Sequence, residues 1–231
     1  NRAVSSKSGS ADFYRALGMN VELSPQVAER VLAGHDFVFL YAPLYHKAMR
    51  HAGPARRQLG VKTIMNLLGP LVNPAGAQYQ LIGVFDERFA EPVARAAHML
   101  GIERGMVVHG RDGLDEISVC DSTRVVAFDE EGTITDFEVT PEELGLARHP
   151  LSALAGGDAA ENARTARELM SGEGRAAVRD AVLANAGAAL AIYGLAEDIK
   201  GGVDLARRAL DDGTVSAKVA AVVGAGERGA A

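Results

Sequence analysis

The sequence predicts an α/β protein with a mixed, largely parallel sheet flanked by helices. One observation is the continuous apolar run Phe37–Tyr41, which has strand length and is typical of a strand covered on both faces. Another is the alternation of a strand at 79–85, a helix at 91–100 and a strand at 106–109. A strand–helix–strand unit of this length predicts a parallel crossover.

A hairpin makes the predicted sheet mixed. The turn-rich segment Asp129–Thr133 separates two apolar strands, 125–128 and 134–139, and this pattern indicates an antiparallel pair. From Gly156 onward the pattern is helical, and glycines predict breaks between the last helices at Gly201–Gly202 and Gly213.

Composition narrows the function classes. The chain has 231 residues, of which 48% are hydrophobic, and a formal net charge of -6; an acidic surface argues against nucleic acid as the main partner. The single cysteine, Cys120, fits a reducing compartment and predicts a cytoplasmic location. No apolar run is expected to reach transmembrane length, so no membrane partner is predicted.

A carboxylate pair, Asp115 and Glu116, follows the 106–109 strand and a glycine-bearing loop. Adjacent acids at the end of a buried strand cost desolvation energy unless a cation lies beside them. Mg²⁺ is the usual cation where waters and phosphate oxygens are the other ligands. A solvated acidic turn is the alternative interpretation.

The first ten residues, Asn1–Ser10, are rich in hydrogen-bond donors, with four serines and Lys7. Ser10 is expected to cap a helix that stops at Gly18. Backbone N–H groups at a helix start, hydroxyls and a lysine suit phosphate oxygens. A flexible Ser/Gly segment is the alternative.

Two further candidates lie between the predicted strands. His46 follows the Phe37–Tyr41 run, at the strand end where ligands gather in open α/β sheets; a structural histidine is the alternative. Arg56 belongs to a local basic cluster at 51–62, and its planar guanidinium matches a carboxylate. A solvated helix face is the alternative for that cluster.

Seven segments spanning nearly the whole chain resemble, in this order, the anthranilate phosphoribosyltransferases. They are NRAVSSKSGSAD, APLYHKAM, PARRQLGVKTIMN, NLLGPLVNPA, VVHGRDGLDEIS, the Gly-Gly…Asn-Ala pattern at 156–163, and VLANAGAAL. The resemblance implies a fold of the phosphoribosyltransferase class related to pyrimidine nucleoside phosphorylases. It also implies a homodimer that transfers the phosphoribosyl group of phosphoribosyl pyrophosphate to anthranilate, with Mg²⁺, in tryptophan biosynthesis.

The resemblance also implies a role for individual residues, by motif. It implies no covalent or obligatory acid–base residue, which agrees with the lack of a nucleophile motif. Its binding residues are Asn1, Pro43, His46 and Arg56 for anthranilate, Ser5, Ser6, Lys7 and Ser10 for phosphoribosyl pyrophosphate, and Asp115 and Glu116 for Mg²⁺.

The predicted domain is a single α/β phosphoribosyltransferase domain over 1–231, incomplete at its N-terminus. The family's Gly-Thr-Gly-Gly-Asp loop and most of its small helical domain fall before the position of Asn1. Residues 54–68 are expected to pack with that helical domain. We expect this segment by itself to be marginally folded and without transferase activity.

Two rival functions remain open at this point. A pyrimidine nucleoside phosphorylase-like enzyme shares the implied fold but would use inorganic phosphate, and its phosphate loop differs from NRAVSSKSGSAD. A non-catalytic relative that binds nucleic acid would be basic and would lack the acid pair, unlike this chain.

The assignment of Arg56 to a substrate carboxylate predicts a selective defect. Loss of a charge-assisted bidentate pair costs on the order of 2–4 kcal/mol. In the complete natural protein, Arg56→Ala should therefore raise the KM for anthranilate far more than the KM for phosphoribosyl pyrophosphate. Arg57→Ala is the matched control, and equal effects of both substitutions in steady-state kinetics would contradict the assignment.

Overall fold

The computed structural model describes residues 8–46, 58 and 63–228 of the chain. It divides into two compact units. The first unit takes its described residues from 1–61, 156–174 and 210–231, and the second unit consists of 62–155 and 175–209. The predicted single domain over 1–231 therefore contains two structural units, and its contact with a further helical domain stays a prediction.

In the described part of the chain, four strands lie between an N-terminal and a C-terminal group of helices. The strands are β1 Tyr79–Gly83, β2 Arg104–Gly110, β3 Thr123–Phe128 and β4 Ile134–Val139. Short 3-10 helices occupy Ile64–Asn66, Glu87–Phe89 and Leu151–Leu154. The α-helices are α1 Ser10–Leu17, α2 Pro25–His35, α3 Ala42–Tyr45, α4 Leu68–Leu71, α5 Ala90–Met99, α6 Ala159–Met170, α7 Ala176–Tyr193, α8 Ile199–Asp211 and α9 Thr214–Arg228.

The sheet of the second unit has the strand order β1-β2-β3-β4. β1 and β2 pair in parallel, with Ile82 opposite Val107, and α5 connects them, so the predicted crossover is confirmed. β3 pairs antiparallel with both β2 and β4, which confirms the hairpin and the mixed sheet. One of three described pairings is parallel, since no helix connects β2 to β3 and the chain returns antiparallel.

The core of the second unit forms where α5 covers this sheet. Its members are buried residues of β1, β2 and β3 and the small residues of α5. Val107 and Val126 are fully buried neighbours across the β2–β3 ladder, and burial of each valine contributes about 1.5–3 kcal/mol. The core therefore holds β2 rigidly up to the point where the acidic loop begins.

The predicted strand Phe37–Tyr41 is wrong as a strand, although its conformation has the expected alternation. Phe37 and Phe39 contact the ring of Tyr14, whereas Val38 and Leu40 pack on the apolar cluster that α2 contributes. The segment carries no ladder because no described segment pairs with it. Side-chain pattern alone does not supply the backbone partner that defines a strand.

The first unit confirms the predicted N-terminal helix and its stop, but Gly9 is the N-cap and Ser10 is the first helical residue. α1 ends at Gly18, which has a φ of 103°. Ser24 caps α2 by accepting a hydrogen bond from Val27 N. α2 ends at His35, and the following Asp36 takes the left-handed conformation with a φ of 57°.

The helix α7 has 18 residues and a mean hydropathy of 1.2, which meets the length and composition of a membrane span. The expectation that no apolar run reaches that length is therefore corrected. α7 contacts β1 and β2 and buries residues such as Leu183 and Ala188. These contacts are those of a core helix that packs on a sheet.

The predicted break at Gly201–Gly202 is also wrong, because both glycines lie inside α8. A Cβ at Gly202 would overlap the carbonyl oxygen of Gly187 in α7. The two helices therefore cross with their backbones in contact, which only residues without a side chain permit. Gly202 is therefore needed for the helix crossing and does not break the helix. Gly213 does separate α8 from α9, as predicted.

This crossing predicts a difference between adjacent glycines. Gly202→Ala should destabilise the natural protein by about 1–3 kcal/mol through overpacking, or about 2–4 °C in Tm per kcal/mol. Gly201→Ala is the matched control, because its Cβ would meet nothing nearer than Asp198 Oδ1 at 3.4 Å. Thermal unfolding should show that control unchanged or stabilised, and equal Tm losses would contradict the crossing.

Candidate functional site

The acidic loop begins where β2 ends. Gly110 N donates to Leu114 O at 2.8 Å, and Gly113 N donates to Gly110 O at 2.8 Å. Gly113 adopts a φ of 92°, which favours glycine. This tight turn reverses the chain and places Asp115 and Glu116 beside the end of the strand.

The third acid of the loop, Asp112, is used inside it. Ser118 Oγ donates to Asp112 Oδ2 at 2.6 Å and accepts from Cys120 N at 2.9 Å. Ser118 N in turn donates to Thr123 Oγ1 at 2.9 Å. Ser118 and Thr123 are both fully buried. Asp112 thus stabilises the turn. Its carboxylate is hydrogen-bonded inside the loop, unlike those of Asp115 and Glu116, which face the cavity.

A side chain of α7 holds the other end of the acid pair. Ile117 N donates to Asn185 Oδ1 at 2.9 Å, and Asn185 Nδ2 donates to Ile117 O at 3.1 Å. Asn185 Nδ2 also donates to Ala181 O at 3.0 Å within the helix. One amide therefore satisfies both backbone groups of Ile117, as a neighbouring strand would.

β1 passes close beneath the same loop. A Cβ at Gly83, the last residue of β1, would overlap the carbonyl oxygen of Asp115. The backbone of Asp115 therefore lies directly against β1, and any side chain at Gly83 would displace it. This contact fixes one side of the acid pair, and the Asn185 amide fixes the other.

Asp115 and Glu116 themselves have no hydrogen-bond or ion-pair partner within residues 8–46, 58 and 63–228. Both retain solvent-accessible surface, and they line a cavity of about 670 Å³ with Gly83, Asn185 and apolar residues such as Leu81 and Val182. By surface area Asp115 and Glu116 are both exposed, so only part of the Glu116 side chain is removed from solvent. Burial, and then the neighbouring charge of Asp115, raise the pKa of Glu116.

The carboxylate pair fits Mg²⁺ by this donor chemistry. Mg²⁺ binds through one or two carboxylates and takes its remaining ligands from water and substrate phosphates. Asp115 and Glu116, which lack a partner among the residues that the structure describes, supply two such carboxylates at the edge of an open cavity. No group of three or more His, Cys, Asp or Glu side chains that could hold a metal occurs in the described part of the chain, so the pair would require ligands from substrate or water.

The cation of the motif, Arg111, does not neutralise this pair. Its guanidinium bonds Glu138 Oε1 at 2.8 Å and also pairs with Glu87. These carboxylates raise the pKa of Arg111. Arg111 therefore links the loop to β4 and to the segment after β1, and it does not pair with Asp115 or Glu116.

The other predicted site residues are less completely placed. Ser10 is exposed at the start of α1, where Asp12 Oδ2 already accepts the Gly9 N–H at 3.2 Å. Pro43 is exposed in the first turn of α3, and the half-buried His46 ends that helix. The remaining predicted residues lie outside the described residues, namely Asn1, Ser5, Ser6, Lys7 and Arg56.

Sequence reasoning missed the residues that support the acid pair. The sequence gives Asn185 only as part of the motif VLANAGAAL, and Gly83 only as an interior residue of the predicted strand 79–85. The signal for Asn185 was present, because an amide within the apolar run Leu183–Leu190 requires hydrogen-bond partners when it is buried. No local signal indicates that Gly83 contacts Asp115, since they are 32 positions apart.

Comparison with known proteins agrees with this geometry. The family model described as "Glycosyl transferase family, a/b domain" matches residues 1–216. The chain is 49% identical over 226 residues to the anthranilate phosphoribosyltransferase of Myxococcus xanthus, covering 98% of this chain and 67% of that protein. It is 45% identical to the enzyme of Xanthobacter autotrophicus, with 99% and 66% covered.

Solved structures show the same likeness. The anthranilate phosphoribosyltransferase from Thermus thermophilus superposes with a TM-score of 0.90 at 43% identity, covering 98% of this chain and 67% of that one. The Saccharomyces cerevisiae enzyme in complex with phosphoribosyl pyrophosphate and Mg superposes with a TM-score of 0.88 at 26% identity, with 95% and 63% covered.

The chain thus spans about two thirds of the length of these relatives. Over that length it shares the fold of the solved structures and nearly half the residues of the bacterial sequences. On these grounds the chain belongs to the glycosyl transferase family and, within it, to the anthranilate phosphoribosyltransferases.

Proposed function

We propose that the protein containing this chain transfers the phosphoribosyl group of phosphoribosyl pyrophosphate to anthranilate and releases pyrophosphate. The observation that carries the proposal is the Asp115–Glu116 pair, which has no partner among the described residues and is held on a tight turn at the edge of an open cavity. The yeast relative binds phosphoribosyl pyrophosphate and Mg in one structure and 4-fluoroanthranilate in another. The relatives named above are all anthranilate phosphoribosyltransferases, so neither rival function gains support.

The two carboxylates would hold Mg²⁺ against the pyrophosphate group of the substrate. Bound there, Mg²⁺ would neutralise the charge that accumulates on the departing pyrophosphate. Gly83 and Asn185 keep the loop backbone in place, so the carboxylates need little reorganisation when charge develops. The carboxylate pair therefore assists the leaving group without forming a bond to carbon.

The other assigned residues would bind and orient the two substrates. We propose Ser5, Ser6, Lys7 and Ser10 for the phosphates, and Asn1, Pro43, His46 and Arg56 for anthranilate. The aromatic amine is unprotonated at neutral pH. It attacks the anomeric carbon as the bond to pyrophosphate breaks, and its nitrogen then gives up one proton to the released pyrophosphate or to water. Positioning then supplies much of the rate, and no catalytic nucleophile or general base is required of the protein.

The organisation of the whole protein belongs to the same proposal. The single α/β domain, the packing of residues 54–68 with a small helical domain, and the homodimer rest on the family resemblance. The cytoplasmic location rests on the single Cys120 and the biosynthetic role. The acidic composition supports the absence of a nucleic-acid partner.

The metal assignment is tested by Glu116→Gln in the complete natural protein. Loss of one anionic ligand should lower kcat steeply and raise the Mg²⁺ concentration needed for half-maximal rate, while circular dichroism stays unchanged. Asp112→Asn is an informative companion, because its main effect should be on Tm through the lost Ser118 contact. Wild-type Mg²⁺ dependence in Glu116→Gln would refute the assignment.

The raised pKa of Glu116 predicts a stability effect in the metal-free protein. A carboxyl whose pKa is higher in the folded state opposes folding once it is ionised, and this opposition fades as pH falls through that raised pKa. In EDTA, Glu116→Gln should therefore raise Tm at neutral pH and lose that advantage under acidic conditions. Thermal scans against pH, with the hairpin variant Glu131→Gln as control, measure the difference; equal curves for all three proteins would contradict it.

A further inference from the structure

We propose that Asn185 is a positioning residue for metal binding, acting on the Asp115–Glu116 pair through the peptide that joins Glu116 to Ile117. The inference rests on the proposed function for the role of the acid pair. It adds a residue of α7 that neither the sequence motifs nor the donor chemistry of the loop assigns to the site.

The hydrogen bonds determine the orientation of the Asn185 amide. Oδ1 accepts from Ile117 N at 2.9 Å, while Nδ2 donates to Ile117 O at 3.1 Å and to Ala181 O at 3.0 Å. A flipped amide would place its oxygen against two carbonyl oxygens and its NH₂ group against an N–H, and would lose all three bonds. The side chain therefore has one orientation, and it holds Ile117 at both polar backbone atoms.

The restraint passes directly to Glu116. The Ile117 N–H lies in the same planar peptide as the Glu116 carbonyl, so fixing one fixes the other. The preceding residue is restrained as well, because the Asp115 carbonyl oxygen lies against Gly83. The backbone of the two proposed ligands is thus held from the α7 side and from the β1 side.

The helix α7, which carries Asn185, packs tightly against α8 next to this residue. Gly187, two residues along α7, contacts the backbone of Gly202 and Val203 in α8. Asn185 is therefore presented from a helix with a fixed register, and outer residues that orient metal ligands in this way typically change metal affinity 10–100-fold when they are replaced.

A purely structural role is the competing explanation, and the chain contains a matched control for it. Asn162 in α6 makes the same two bonds with Gly157, from Gly157 N to Oδ1 at 2.9 Å and from Nδ2 to Gly157 O at 3.2 Å. Replacing either asparagine removes a two-point backbone contact from a helix. Only Asn185 makes that contact next to the acid pair.

The test compares Asn185→Ala with Asn162→Ala in the complete natural protein. Alanine favours helix, and Asn185→Leu serves as a second variant that fills the space of the amide. We expect Asn185→Ala to weaken Mn²⁺ binding about 10-fold in the presence of pyrophosphate, measured by electron paramagnetic resonance without turnover. The half-saturating Mg²⁺ concentration should rise in parallel, with the KM for anthranilate unchanged.

Amide hydrogen exchange supplies a second readout. Segment 114–119 should exchange faster in Asn185→Ala and at the wild-type rate in Asn162→Ala. If both asparagine variants lose stability equally and neither changes Mn²⁺ affinity, Asn185 is structural and the proposal is overturned. If either Asn185 variant is too unstable to purify, the other supplies the affinity.

The acid-pair assignment is tested separately by Glu116→Gln. A changed Mn²⁺ affinity in Glu116→Gln with an unchanged one in both Asn185 variants would overturn the positioning role alone. An unchanged affinity in Glu116→Gln would remove the proposed function of the pair, and with it the basis of this inference.

Discussion

The constraint on which the acidic loop depends is the negative charge of two adjacent carboxylates that no cation of the described residues neutralises. Burial raises the cost of ionising Glu116, and the charge of the adjacent Asp115 adds to that cost. The neighbouring acids are satisfied: Asp112 accepts from Ser118, and Asp121 lies 3.4 Å from Arg148. Such a charged turn keeps one conformation only because its backbone bonds are made elsewhere in the second unit.

Those backbone bonds require elements that approach one another very closely. Gly83 lets β1 touch the peptide of Asp115, and Gly187 with Gly202 lets α7 and α8 cross with their backbones in contact. A helix at that distance can present the short side chain of Asn185 to Ile117. The glycines and the alanine-rich helix therefore stabilise the loop indirectly, because they allow backbone-to-backbone distances that larger side chains would prevent.

The elements predicted correctly are those specified by contacts that are local in sequence. The α5 crossover and the β3–β4 hairpin follow from periodicity and turn chemistry within about thirty residues. Two predictions failed where a distant partner decides the outcome. Phe37–Tyr41 has the alternation of a strand but no described neighbour to pair with. Gly202 is not a helix break but a packing position inside α8, where its lack of a side chain lets the backbone of Gly187 approach.

The same division holds at the candidate site. The order of the motifs was enough to identify the family. The position of Asp115 and Glu116 after a buried strand could also be predicted from the sequence, because it depends on residue identities and short spacings. Only the tertiary structure shows that Asp112 accepts a hydrogen bond from Ser118. It also shows that Gly83 lies against Asp115 and that Asn185 bonds the backbone of Ile117. Asn185 and Ile117 are separated by 68 positions, and contacts at that separation arise from how α7 packs on the sheet, which no local pattern encodes.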